Sequence, residues 1–378
     1  MLLNYVSPLT AGCFLLLAFV VAVNFRQVNR IANRWLAIFL LCFAIFVFCE
    51  PLSIYKEFTD NSFYFVLLNT SFFSIAPALF FSVSYFVTPA RTFEKKDMWH
   101  FALLIVISLL NILTWALADN TEMDSAPTEV LPQTYVEIVV GLALSTLPIP
   151  IYWFLSYKKL LKHQKNVLLY ASSTQTVDLA WLRRFLLGLA VLIVTMTADI
   201  VFEITLMRHI ASVFYLFVAF YLAYFALQQK AIFNEKRETD LALKNIIEEE
   251  EQPNLQRKQV LTDEQLLTLK TKLAAIMQDQ KPYLNSELGL PNLATMMQLS
   301  PQELSYLINA GFDNNFYGFV NGYRVEESKM LLNSPKHQHL SMVGIAFEAG
   351  FNSKTAFYTA FKKTTGLSPT EFKTINKP

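Results

Sequence analysis

Near the C-terminal end of this 378-residue chain, two short stretches turn polar side chains to one side of a helical repeat. In Ser300–Asn309, Leu304, Leu307 and Ile308 share one face, which leaves Gln302, Ser305, Tyr306 and Asn309 on the other. In Ser353–Lys363, Phe357 and Phe361 share a face, and Lys354, Thr355, Tyr358, Thr359 and Lys362 point away from it. A glutamine amide pairs with the edge of an adenine, and a lysine ammonium reaches the acceptors of guanine. Tyr306 and Tyr358 suit phosphates or thymine methyls; Lys362, Lys363, Lys373 and the starts of capped helices suit phosphates. A second group of reactive residues lies far upstream. Glu50, Glu137, Asp199 and Glu203 sit in or at the edge of apolar segments, and Asp199 and Glu203 are spaced to share a helix face. A carboxylate in hydrocarbon is costly and faces a bundle interior, a cavity or a partner. These four read as an outward-facing signal pocket for a cationic ligand, a metal ion or a proton. The plainer alternative puts Glu50 and Glu203 at headgroup depth, with Arg208 or His209 neutralising Glu203.

The polar faces need helices to present them, and the helix starts are legible. Thr262-Asp-Glu-Gln265, Ser300-Pro-Gln-Glu303 and Ser368-Pro-Thr-Glu371 are capping boxes, the last two with proline at the first helical position. Helices are expected at about 262–280, 291–297, 301–310, 315–333, 342–348, 354–364 and 369–375. Two helix pairs repeat one design. Each has a short helix with a small residue (Ala294, Ala346), a tight turn, and a capped second helix with buried residues four apart: Leu304 and Ile308, then Phe357 and Phe361. That is the helix-turn-helix pattern, with the second helix placed for a major groove. The helix expected between the pairs, 315–333, is ~28 Å long at 1.5 Å per residue. Successive major-groove faces repeat at ~34 Å, so two readers on such a strut can address adjacent turns of DNA.

Upstream of about Leu227 the composition changes. Phe, Leu, Val and Ile dominate, and seven stretches approach the ~20 apolar residues that a helix needs to cross a bilayer. They are Pro8–Phe25, Arg34–Ser53, Phe63–Val87, Trp99–Ala118, Thr134–Leu155, Arg184–Glu203 and Ile210–Leu227. The first lacks the basic flank and cleavage site of a signal peptide. Basic residues cluster in alternate loops: Arg26, Arg30 and Arg34; Arg91, Lys95 and Lys96; Lys158, Lys159, Lys162, Lys165, Arg183 and Arg184. The intervening loops hold only Lys56 and Arg208. The positive-inside rule then puts the N-terminus outside and residue 228 onward in the cytoplasm. The expected fold class is all-α: a seven-helix transmembrane bundle (1–227), a charged and partly helical linker (228–261), and a cytoplasmic all-α domain with two helix-turn-helix units (262–378). The setting is a bacterial cytoplasmic membrane, with lipid as a partner. Cys13, Cys42 and Cys49 lie in apolar stretches without CxxC spacing, so they read as small apolar residues, and no metal or cofactor is expected.

The C-terminal stretch resembles the DNA-binding domain of AraC/XylS-type transcription regulators over about 110 residues. The resemblance is carried by Ile345-Ala-Phe-Glu-Ala-Gly-Phe-Asn-Ser353, Phe357 and Phe361-Lys-Lys-Thr-Thr-Gly-Leu-Ser-Pro369. Leu304-Ser-Tyr-Leu-Ile-Asn309, Asn315-Phe316 and Arg324-Val-Glu-Glu-Ser-Lys-Met-Leu-Leu332 add to it. It implies sequence-specific binding of double-stranded DNA, base contacts at Gln302, Ser305, Tyr306, Lys354, Thr355, Tyr358 and Thr359, and control of transcription through RNA polymerase. Gln298 stands where the family often has glycine, Leu290 is a poor N-cap for a helix beginning at Pro291, and Ser328 replaces a common alanine. Arg324 and Glu348 are expected to pair inside the fold. Residues 262–378 hold eleven Lys/Arg against ten Asp/Glu, a net of +1. Phosphate neutralisation supplies most non-specific affinity, so a homodimer or paired sites are expected. No HExxH, GxSxG, P-loop or histidine-kinase core is present, which argues against an enzyme. The expected whole is a one-component regulator answering an unknown small-molecule or membrane signal. The alternatives are a transporter or membrane enzyme fused to a regulator, and spans that serve only as an anchor.

Overall fold

The computed structural model describes residues 3–23, 29–49, 52, 62–89, 91–118, 146–174, 177–202, 205–228 and 261–375. Among them are fourteen α-helices and no strand. The chain divides into two compact units, Met1–Leu161 with Leu179–Phe233, and Lys162–Asp178 with Asn234–Pro378.

The first unit holds α1 (Leu3–Val23), α2 (Arg30–Cys49), α3 (Ser62–Val87), α4 (Ala102–Ala118), most of α5 (Pro148–Val167), α6 (Ala180–Phe202) and α7 (Thr205–Gln228). Large apolar side chains on facing helices hold α1, α2 and α3 together. Phe14 meets Phe43 edge-on at 4.9 Å between ring centroids, and the Ser82 hydroxyl donates to the Ala32 carbonyl across 3.2 Å. After α3 the chain turns through a 3-10 segment, Lys95–Phe101, where Arg91 is ion-paired with the buried Asp97. Three helical stretches among the described residues, Val6–Val23, Arg30–Cys49 and Val66–Val87, are long and apolar enough to cross a membrane. They correspond to the first three expected spans. The fourth, α4, is shorter at 17 residues. The fifth lies mostly outside the described residues, and α5 runs past its expected end into the Lys158–Lys165 stretch. The seventh expected span, Ile210–Leu227, lies within α7, which begins earlier and also carries Arg208 and His209.

The second unit contains α8 (Asp263–Asp279), α9 (Leu290–Met297), α10 (Pro301–Phe312), α11 (Phe316–Asn333), α12 (Met342–Glu348), α13 (Lys354–Thr365) and α14 (Pro369–Ile375). All seven expected helices are present, with ends shifted by a residue or two. The capping boxes explain the sharp starts. The N–H of Thr262 donates to Gln265 Oε1 and the N–H of Gln265 to Thr262 Oγ. Ser300 and Glu303 exchange the same bonds, as do Ser368 and Glu371. The Ser368 N–H holds the Glu371 carboxyl below its usual pKa range. Each box satisfies N–H groups that a helix start leaves without acceptors.

Two sequence expectations at helix ends are refined. The α9 N-cap is Gly289, not Leu290, and Leu290 is the first helical residue and fully buried. Gln298 ends α9 in the left-handed region (φ 60°), the conformation for which glycine is favoured. At the corresponding turn of the second helix-turn-helix, Gly350 takes φ 88°.

Candidate nucleic-acid interface

The two helices expected as readers are α10 and α13. Leu304, Leu307 and Ile308 are buried under α10, and Phe357, Ala360 and Phe361 under α13. Burying one stripe of each helix fixes which stripe faces out. Beneath α13, Phe357 packs edge-on to Phe361 and tilted against Phe351, in a cluster with Ile345, Ala346, Val325 and Leu332. Ala346 is fully buried, which is why a small residue is needed in α12. Ser328 in α11 is also fully buried; its hydroxyl donates to the Val325 carbonyl at 2.7 Å, so the hydroxyl is accommodated without an unpaired polar group.

The outward positions fall as the helical repeat requires. Gln302, Ser305, Tyr306 and Asn309 on α10 are half-buried. On α13, Lys354, Thr355 and Thr359 are exposed and Tyr358 is half-buried. The Lys354 ammonium lies 5.3 Å from the centroid of the Tyr358 ring, and the Tyr358 hydroxyl is 3.2 Å from Thr370 Oγ. Those contacts hold both side chains at the start of the second reader, one turn of helix apart. Lys362 and Lys363 are exposed in the last turn of α13, where cations also suit the helix dipole, and Lys373 is half-buried on α14. The readers differ in charge. Within Lys354–Thr365 there are three lysines and no acid, whereas Pro301–Phe312 has one acid and no base.

Each reader starts at a serine N-cap. Ser353 Oγ accepts the N–H of Ala356 at 3.1 Å, and Ser300 Oγ that of Glu303 at 3.2 Å. Ser353→Ala is expected to destabilise α13 by about 1 kcal/mol. Hydrogen exchange of the first turn of α13 checks this; protection equal to that of the unsubstituted chain would contradict it.

Four other expectations need correction or placement. Arg324 does not pair with Glu348. Its Nε donates to the Tyr283 carbonyl, Nη1 to the Ser172 carbonyl and Asn321 Oδ1, and Nη2 to Ser172 Oγ and the Asn285 carbonyl, over 2.8–3.1 Å. All five guanidinium N–H groups are thereby engaged, and Glu348 is exposed. Burial lowers the Arg324 pKa to about 10, so it stays charged at neutral pH. The acid in this region is Glu327, which accepts from Lys281 and from the Tyr283 hydroxyl at 2.8 Å each. Burial, followed by that bond to Glu327, pushes the Tyr283 pKa up. Of the membrane carboxylates, Glu50, Glu137 and Glu203 lie outside the described residues. Asp199 lies on α6, and only its backbone is described. The 228–261 linker is outside the described residues except at its ends.

Residues 168–174 escaped the sequence reading altogether. They belong to the second unit, beside α9 and α11. Ala171 forms an isolated bridge with Gly289.

With this geometry in view, residues 293–375 match a family model described as a helix-turn-helix domain, of the AraC/XylS type. The match contains both readers and the connecting helix and leaves out α8 and the whole N-terminal half. No curated protein and no solved structure matches the chain.

Proposed function

We propose that the chain is a membrane-embedded, sequence-specific regulator of transcription, with a cytoplasmic DNA reader and an N-terminal half that crosses the bilayer seven times with its N-terminus outside. The observation that carries the DNA-binding part is the pair of serine-capped helices, each buried on one stripe and open on the other, inside the matched helix-turn-helix region. Three long apolar helices and the clustering of Lys and Arg in alternate loops support the membrane part. Base reading is assigned to Gln302, Ser305, Tyr306, Lys354, Thr355, Tyr358 and Thr359, and phosphate contact to Lys362, Lys363 and Lys373. No catalytic step is assigned to the chain. The lysines of α13 make the second reader the main source of affinity, and the near-neutral charge of residues 262–378 makes paired copies on DNA the functional form.

Genome-wide mapping of DNA bound by the intact chain in its membrane tests this reading and identifies the operator. On that operator, Lys354→Ala is expected to weaken binding about tenfold and to relax preference at one base pair, because a specific side chain–base contact is worth ~1–3 kcal/mol. Binding without enrichment at any sequence, or equal loss on all sequences, would refute the base-reading role.

A further inference from the structure

We propose that residues 168–173 are a clasp: a segment of the loop after the fifth expected span that docks across the seam of the two helix-turn-helix units and holds the readers in one relative pose. The proposal rests on the DNA-binding reading above and adds its regulation.

The segment bonds to three parts of the module at once. Towards the first helix-turn-helix, the Tyr170 carbonyl accepts the N–H of Leu290 at 2.9 Å, and Ser172 Oγ donates to the Leu288 carbonyl at 2.5 Å. On the connecting helix, the Leu168 carbonyl accepts the N–H of Tyr317 at 3.1 Å, and the Ser172 carbonyl accepts from Arg324 and Asn321. Towards the second helix-turn-helix, Ser173 Oγ accepts from Asn352, the residue before the α13 N-cap. Leu290 and Tyr317 lie in the first turns of α9 and α11, where N–H groups lack intrahelical acceptors. Gly289 has no side chain to cap α9, and the Tyr170 carbonyl accepts one of the N–H groups left free at that helix start, that of Leu290. The segment therefore completes the module's polar interior.

Its position favours orientation over blockade. The bonds just named involve backbone and side chains at helix starts and along the seam, and none goes to a base-reading position. The clasp leaves the reading faces open and sets the angle between them. It follows directly in sequence on α5, whose residues up to Leu161 belong to the N-terminal compact unit. The base of the loop is closed by His163 Nε2 bonded to the Val177 carbonyl and Gln164 Nε2 donating to the Asp178 carbonyl, both at 2.8 Å. Displacement of α5 would act on the clasp directly, by a covalent route separate from residues 228–261.

The test uses the full chain in lipid nanodiscs, with Cys13, Cys42 and Cys49 replaced by alanine. Ser173→Cys with Asn352→Cys should cross-link on oxidation or with a short bifunctional thiol reagent. Ser173→Cys with Thr359→Cys, on the exposed reading face, should not. The locked protein should bind an operator that engages both readers at least as tightly as the reduced form, which has lost the bond between Ser173 and Asn352. Ser173→Ala, which alters only the loop side, should weaken binding to that operator about fivefold and leave a site for the second reader alone unchanged. Failure of the first pair to cross-link, efficient cross-linking of the second, tenfold weaker binding by the locked protein, or equal effects of Ser173→Ala on both sites would each overturn the clasp. Efficient cross-linking of the first pair in a chain that binds no operator would instead remove the DNA-binding reading and retain the docking contact.

Discussion

Arg324→Met is expected to lower the stability of the second unit by about 3 kcal/mol or more, because methionine replaces much of the volume and none of the hydrogen bonding. Arg324 is 1% exposed and is among the largest fully buried side chains in the chain. Its guanidinium organises oxygens from three separate segments: Tyr283 and Asn285 before α9, Asn321 on its own helix, and Ser172. A buried acceptor left without a donor costs roughly 1–3 kcal/mol, and this substitution strands several at once. Arg324→Lys keeps the charge but lacks the planar five-donor fork, so it should recover only a small part of the loss. Chemical unfolding of the full chain, followed by a reporter placed in α13, reads the effect. A change below about 1 kcal/mol for Arg324→Met would show that the buried network contributes little to stability, and full recovery with lysine would show that charge alone matters at this position.

Gly350→Ala is the second large effect, at about 3 kcal/mol, the combination of backbone strain and overpacking. Gly350 adopts φ 88°, where a side chain is strained, and an added Cβ would stand 2.3 Å from the Tyr283 carbonyl oxygen and 2.8 Å from Leu284 Cα. Both neighbours are backbone, so relief requires the turn of the second helix-turn-helix to separate from the 282–284 segment. That separation would also disturb Arg324, which bonds to the same Tyr283 carbonyl. Gly366 is the internal comparison. It has φ 78° with open space around its Cβ position, so Gly366→Ala should cost only the backbone strain, about 1 kcal/mol. Thermal unfolding of the two variants measures the difference, and equal losses would mean that the close approach to Tyr283 contributes nothing.

What could be read without coordinates was local. The capping boxes pair residues three apart, and the buried stripes of α10 and α13 recur every three or four residues. Both patterns are complete within one helix, so the seven helices of the C-terminal unit, the two readers and their outward faces were legible from residue order alone. Hydropathy located apolar stretches by the same local logic, and the first three recur as long apolar helices. It was less able to delimit α5 and α7, where charged residues share a helix with apolar ones.

The partners of Arg324 were beyond that reach. Glu348 was the natural acid to nominate, yet the acceptors are largely backbone carbonyls, one of them Ser172, 152 residues away. Every residue carries a carbonyl, so such a contact leaves no signature of residue type. The need for glycine at position 350 likewise comes from a neighbouring segment as much as from its own turn. The sequence by itself determined two capped, one-sided helices of a helix-turn-helix pattern and an apolar N-terminal half, because capping and amphipathic periodicity are short-range. Only the tertiary structure decided that residues 168–173 lie between the two helix-turn-helix units, because most of their bonds use backbone groups and the side-chain contacts with Arg324 and Asn352 join residues 152 and 179 apart in the chain.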